Sequence, residues 1–171
     1  MTIHFKAKKG TYILIISVSK PAIVNVGQLG ELQLLPRTYL YVGSALGTGS
    51  TSLQNRLVRH LLKPKRLTWH IDFITALPHA RVRYVVVIES SHHLECLLSR
   101  HIARLNGIKC PIKGFGSSDC STCETHFYSF DKSIKQAVER CKTIVRRIGF
   151  IPKVISINNL SKLTEAQKVQ M

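Results

Sequence analysis

The chain holds 171 residues, 44% of them hydrophobic, enough to bury a core and most simply one principal domain with an appendage. Lysine and arginine number 25 against 9 aspartates and glutamates, and the resulting formal charge of +16 repels itself unless an anionic partner offsets it. No apolar run approaches the roughly 18 residues of a membrane span, and Met1 to Gly10 is too polar for a secretory leader. An odd set of five cysteines then points to a reducing compartment, so the expected location is cytoplasmic and the expected partner is nucleic acid, DNA first, with no membrane.

Taken in order, residues 11–18 (TYILIISV) are rich in β-branched and aromatic side chains and predict a buried strand. Residues 22–26 and 31–35 flank Gly27-Gln28-Leu29-Gly30 and predict a hairpin with a glycine-rich turn. Residues 38–43 predict another strand, which runs into a Gly/Ser/Thr stretch from Gly43 to Ser52. A helix is expected over 52–63, with Leu53, Leu57 and Leu61 on its apolar side, Arg56, Arg59 and His60 opposite, and Pro64 as the stop.

A short helix over 70–77 and a strand over 81–89 follow. The next helix is expected to take Ser91 as its cap and Gly107 as its terminator. Residues 108–124 read as loop, 125–130 as a last strand, and Asp131 as the cap of a basic helix reaching Arg147. From Pro152 the composition turns polar. The expected division is therefore a domain over 1–150 and a C-terminal appendage over 151–171, disordered on composition.

Four polar groups stand out by their placement: Tyr12 in Gly10-Thr11-Tyr12, Tyr41 in Tyr41-Val42-Gly43, the Arg56/His60 pair four residues apart, and Glu95 in a later helix. Phosphodiester hydrolysis needs an activated nucleophile, a charge clamp on the transition state and help for the leaving oxygen. Arginine offers a planar donor fork matched to phosphate, and one carboxylate holds a hard cation that keeps most of its waters. Taken singly, these residues read as packing tyrosines, solvated basic groups and a surface acid.

Their ordered combination resembles the GIY-YIG nuclease superfamily. Within it, Tyr41-Val42-Gly43-Ser44-Ala45, Arg59-His60, Trp69-His70-Ile71-Asp72 and Gly114 to Cys120 (GFGSSDC) resemble a branch found alone or attached to endonuclease III-type DNA glycosylases. The resemblance implies an α/β fold with a mixed or antiparallel central sheet flanked by helices, here with an inserted hairpin. It also implies a metal-dependent endonuclease hydrolysing DNA, in a repair setting with a repair-enzyme partner. Tyr12 would be base or water-orienting group, Tyr41 its support, Arg56 the phosphate clamp, His60 a hydrogen-bonding neighbour, and Glu95 the ligand of Mg²⁺ or Mn²⁺. Glu89, at a strand end, competes with Glu95 for that role. A non-catalytic nucleic-acid-binding module and a zinc-stabilised accessory of a repair enzyme are the alternatives.

Arg59, Lys63, Lys65 and Arg66 are the expected nucleic-acid contacts beside this set. The Cys120-x-x-Cys123 pair, with His126 after it and Cys110 before it, offers four ligands for Zn²⁺. The reading set ahead of it is buried thiols beside a hydrogen-bonded imidazole at His126. Asp72 reads as an orienting group for His60 or His70, or as a helix cap. The Gly43–Ser52 stretch reads as a phosphate-binding loop or a plain connection.

Overall fold

A computed structural model describes residues 9–157. Its centre is strand β1, Gly10–Val18, whose β-branched run is buried on both faces. β1 pairs antiparallel with β4, Arg37–Ala45, on one side and with β5, Ala80–Glu89, on the other. Adding β6 (Ile108–Lys109), β7 (Phe127–Phe130) and β8 (Lys153–Ser156) completes an antiparallel six-stranded sheet in the order β6-β7-β4-β1-β5-β8. β2, Ala22–Asn25, and β3, Glu31–Leu34, form the separate hairpin expected between β1 and β4.

The sheet is the middle of three layers. Side chains alternate along each strand, so Tyr12, Leu14 and Ile16 face one side while Ile13 and Ile15 face the other. The first face is covered by the hairpin, by α1 (Leu53–Leu61), by α2 (His70–Thr75), and by Phe115 from the loop that follows β6. The second is covered by α3, Glu95–Ala103, and α4, Ile134–Arg147. Strand segments buried on both faces read as near-continuous apolar runs, as residues 11–16 and 85–88 do.

Two glycines of the sequence motifs have a steric cause. Tyr12 lies opposite Gly43 in the β1–β4 register, and a Cβ at Gly43 would stand 2.6 Å from the Tyr12 hydroxyl. A Cβ at Gly10 would stand 2.5 Å from the Ile88 carbonyl oxygen on β5. Each strand can lie this close only because its motif carries no side chain there.

Several expectations need correction. α3 begins at Glu95 with no side-chain cap, so Ser91 lies outside it. Gly107 comes four positions after Ala103, at φ +86°, and its bare Cα accommodates the Asp131 carboxylate. Asp131 therefore packs on that turn and does not cap α4. The cap is Ser133, whose hydroxyl accepts from Gln136 N while the Gln136 side chain accepts from Ser133 N.

The polar segment expected to be an appendage from 151 begins with β8, whose Val154 and Ile155 sit opposite Val86 and Val85 of β5. Residues 158–171 lie outside the described residues. No helix among the described residues is long and apolar enough to cross a membrane.

Candidate functional site

α1 buries Leu53, Leu57 and His60, a stripe rotated by one position from the all-leucine stripe expected, with Leu61 only partly covered. The rotation carries His60 under the sheet. There its Nε2 meets the Tyr12 hydroxyl at 2.7 Å, with both residues almost wholly shielded from solvent. Burial, and after it the Lys65 charge, pushes His60 down to about 3, so the ring is neutral at physiological pH. Its Nδ1 has no partner among the described residues. The neutral ring shares one proton with Tyr12 at this contact, and its tautomer sets which of the two groups donates. Tyr12 is itself fully buried, and desolvation raises its phenol well above the usual range.

The same rotation brings Arg56 to the edge of a cleft. Its guanidinium lies 4.0 Å above the Trp69 ring, which the Arg59 guanidinium also approaches at 4.7 Å. The two arginines differ in their partners. Arg59 Nη2 donates to Asp72 Oδ2 at 2.8 Å, to Thr68 Oγ1 and to the Arg66 carbonyl. Asp72 is buried, and Oδ2 also accepts from Thr68 N and Trp69 N at 3.0 Å. Asp72, the third residue of α2, thus reaches back to the N-cap Trp69 as the acid of a capping box does, with neither His60 nor His70 as its partner. Although burial opposes the charge, the two backbone donors and Arg59 hold its carboxyl below the ordinary range. Arg56, by contrast, forms no ion pair among the described residues.

Arg56 lines a cleft of about 350 Å³ together with Tyr41, Trp69, His70, Glu95 and Asp119. Glu95 reaches it from the first turn of α3, with its side chain 26% exposed. Glu89, the alternative acid, instead pairs with Lys153 at the β5–β8 edge. Tyr41 is the motif tyrosine that meets the cleft, whereas Tyr12 lies beneath it. Burial, and then the nearby Glu95 charge, raises the Tyr41 phenol above its ordinary value. The loop carrying Asp119 is fixed by Phe115, stacked on Phe127 at 4.5 Å, and by Gly116 N donating to His70 Nδ1 at 3.1 Å. Gly116 takes a φ of +71°, and a Cβ there would stand 2.8 Å from the Tyr41 ring.

Beside the cleft, the side chains of Cys96, Cys120, Cys123 and His126 come together, with their ligand atoms all within 4.8 Å of one another. Cys96 fills the place expected of Cys110, which lies outside the group. His126 is 3% exposed, and neither ring nitrogen has a partner among the described residues. The hydrogen-bonded imidazole of the bland reading is therefore not what the fold builds. Cys120 is drawn down to about 6 by the Cys96 thiol and then by the Thr122 hydroxyl. Three sulfurs and an imidazole are a ligand set for a borderline-soft divalent metal.

Residues 11–149 match the family described as a domain of unknown function, DUF123. The chain belongs to the DUF123 family. No curated protein and no solved structure matches it. The matched span of this DUF123 domain covers every strand and helix described above except β8 and the first residue of β1, and it contains Tyr12, Tyr41, Arg56, His60, Glu95 and the Cys/His group.

The expected nucleic-acid contacts of the DUF123 domain are largely engaged within the chain. Lys65 Nζ donates to the Arg59 and His60 carbonyls and to Thr75 Oγ1, and desolvation lowers it to about 8. Lys63 Nζ donates to the Leu77 and Ala80 carbonyls. Both ammonium groups thus hold the end of α1 against α2 and the start of β5. Arg66 remains exposed. The Gly43–Ser52 stretch closes through Asn55 Nδ2 on Gly49 O at 2.7 Å, and Ser52 caps α1 by accepting from Asn55 N.

Sequence reasoning missed two residues here, Cys96 and Asp119. The signal for each was adjacency: Cys96 follows Glu95, and Asp119 precedes Cys120.

Proposed function

We propose that this cleft hydrolyses phosphodiester bonds of nucleic acid, with DNA as substrate, in the manner of the GIY-YIG nucleases that the sequence resembles. The observation that carries the reading is Arg56. It is a guanidinium with no acidic partner among the described residues, held 4.0 Å above the Trp69 ring, in the same cleft as Glu95. An arginine so placed matches a phosphate oxygen pair, and its contact with the Trp69 ring lowers the ordering cost of the interaction.

Glu95 and Asp119 supply carboxylate oxygens in a polar cleft, a donor set that fits Mg²⁺ or Mn²⁺. Bound there, such an ion would acidify a water and offset charge on the scissile phosphate. Arg56 holds a non-bridging oxygen of that phosphate. Tyr41, at the cleft wall, orients the attacking water through its hydroxyl. Tyr12 and His60 act from below as positioning residues: their bond ties β1 to α1 and so sets where Arg56 stands. Arg59 and Asp72 hold Trp69 under the guanidinium.

Incubating the protein with nicked, branched and single-stranded DNA plus Mg²⁺ or Mn²⁺ tests this reading. Cleavage that falls about 10²- to 10³-fold in Arg56→Ala, as removal of a transition-state donor does elsewhere, supports it. Equal cleavage by wild type and Arg56→Ala rejects it.

One observation favours binding without turnover: both motif phenols are raised above their ordinary range, so neither is a ready base in the free protein. That reading expects affinity for DNA that falls steeply with salt and is indifferent to Glu95→Ala.

A further inference from the structure

Cys96, Cys120, Cys123 and His126 come from two separated parts of the chain, the first turn of α3 and the loop that leads into β7. Backbone bonds seat His126 firmly, with its N donating to Phe115 O at 2.8 Å and its carbonyl accepting from Val42 N at 2.9 Å. The imidazole is thus delivered to a buried position where nothing among the described residues bonds either nitrogen. An imidazole shielded this completely is normally satisfied by a partner. The groups that face it are three cysteine sulfurs.

We propose that these four side chains hold a structural zinc ion that clamps the start of α3 to the 117–126 loop. Tetrahedral zinc at its usual bond lengths sets its ligand atoms about 3.5–3.8 Å apart. The donors here lie within 4.8 Å of one another, and the Cys96 and Cys120 sulfurs, now at 2.8 Å, open by about 1 Å to receive the ion.

The placement gives the clamp a consequence for the cleft. Glu95 precedes Cys96 and Asp119 precedes Cys120, so each cleft carboxylate is one residue from a zinc ligand. A second recess of about 210 Å³, lined by His93, Glu95, Cys96, Asp119, Cys120 and His126, joins the two sites. The two donor sets differ in hardness, sulfur and imidazole for zinc and carboxylate oxygen for a hard cation, which keeps the ions from exchanging places. The zinc ion therefore fixes the separation of Glu95 and Asp119. The assignment of the cluster itself does not rest on the nuclease reading.

Metal analysis of the protein purified under reducing conditions without chelator is the test. The expected result is close to one zinc per chain in the wild type, retained in Cys110→Ser and Glu95→Gln and lost in Cys96→Ser. Cobalt exchanged into the wild type gives tetrahedral bands with thiolate charge transfer, a readout that needs no variant to fold. Three results overturn the proposal: wild type without zinc and without those bands, equal zinc loss in Cys110→Ser and Cys96→Ser, or a native Cys96–Cys120 disulfide seen by mass. None of these measurements involves DNA, so absent cleavage bears only on the nuclease reading.

Discussion

Protonation of His60 is the perturbation whose size follows most directly from the fold. Its ring is 1% exposed, bonded to Tyr12 at 2.7 Å, and pushed down to about 3 by burial, against about 6.5 in an unfolded chain. Between those values the unfolded state binds a proton that the folded state refuses. Stability from this group is therefore fully present above about pH 6.5 and lost as pH falls towards 3. At about 1.4 kcal/mol per pH unit, a drop to about pH 5 removes roughly 2 kcal/mol. Asp72, also shifted downward, loses its contribution only at still lower pH, below the ordinary carboxylate range, so it leaves this window clear. His60→Gln retains an acceptor for the Tyr12 hydroxyl but cannot be protonated. Urea unfolding of both proteins at about pH 7.5 and about pH 5 isolates the effect: the wild type loses about 2 kcal/mol more than the variant. The same loss in both would refute the buried, neutral imidazole.

Other perturbations act on distinct parts of the site. Gly43→Ala places a Cβ 2.6 Å from the Tyr12 hydroxyl and is expected to cost about 1–3 kcal/mol in chemical unfolding, because strand β4 must move. Asp72→Asn removes the charge that Arg59 and two backbone amides meet, and a thermal melt is expected to show a loss of about 1–3 kcal/mol. Trp69→Leu takes the platform from beneath Arg56, so DNA affinity in fluorescence titrations is expected to fall several-fold while far-UV circular dichroism is kept. Glu95→Gln is expected to abolish Mn²⁺ binding by calorimetry and to leave the melting temperature within about 2 °C of wild type, since its side chain is partly exposed.

The sheet was legible because strand segments buried on both sides announce themselves as apolar runs, as β1 and the 85–88 half of β5 do. Helix ends were less so. Asp131 and Ser133 both suit a cap, and the deciding signal was Gln136, three residues after Ser133, which completes a capping box. β8 is only four residues long and follows directly on Pro152, so its pairing with β5 is a tertiary fact that no local pattern announces. The cleft residues were named from motif order, but their depths were not. Apolar periodicity favoured Leu61 over His60 for the buried side of α1, and the Tyr12 hydroxyl reverses that preference by giving the imidazole a partner. The third cysteine was misassigned for a related reason. Cys110 is nearer in sequence, whereas the packing of α3 against the sheet decides that Cys96 reaches the Cys120 sulfur.

The central claim is that Arg56 and Glu95 act on one phosphate and one divalent ion in a single cleft. Crystals grown with Mn²⁺ and a phosphorothioate DNA duplex test it through the anomalous signal of manganese. The expected density places manganese on Glu95 and a backbone phosphate on Arg56, within the cleft walled by Tyr41 and Trp69. Manganese bound elsewhere, or DNA lying across a face that leaves Arg56 untouched, would contradict it.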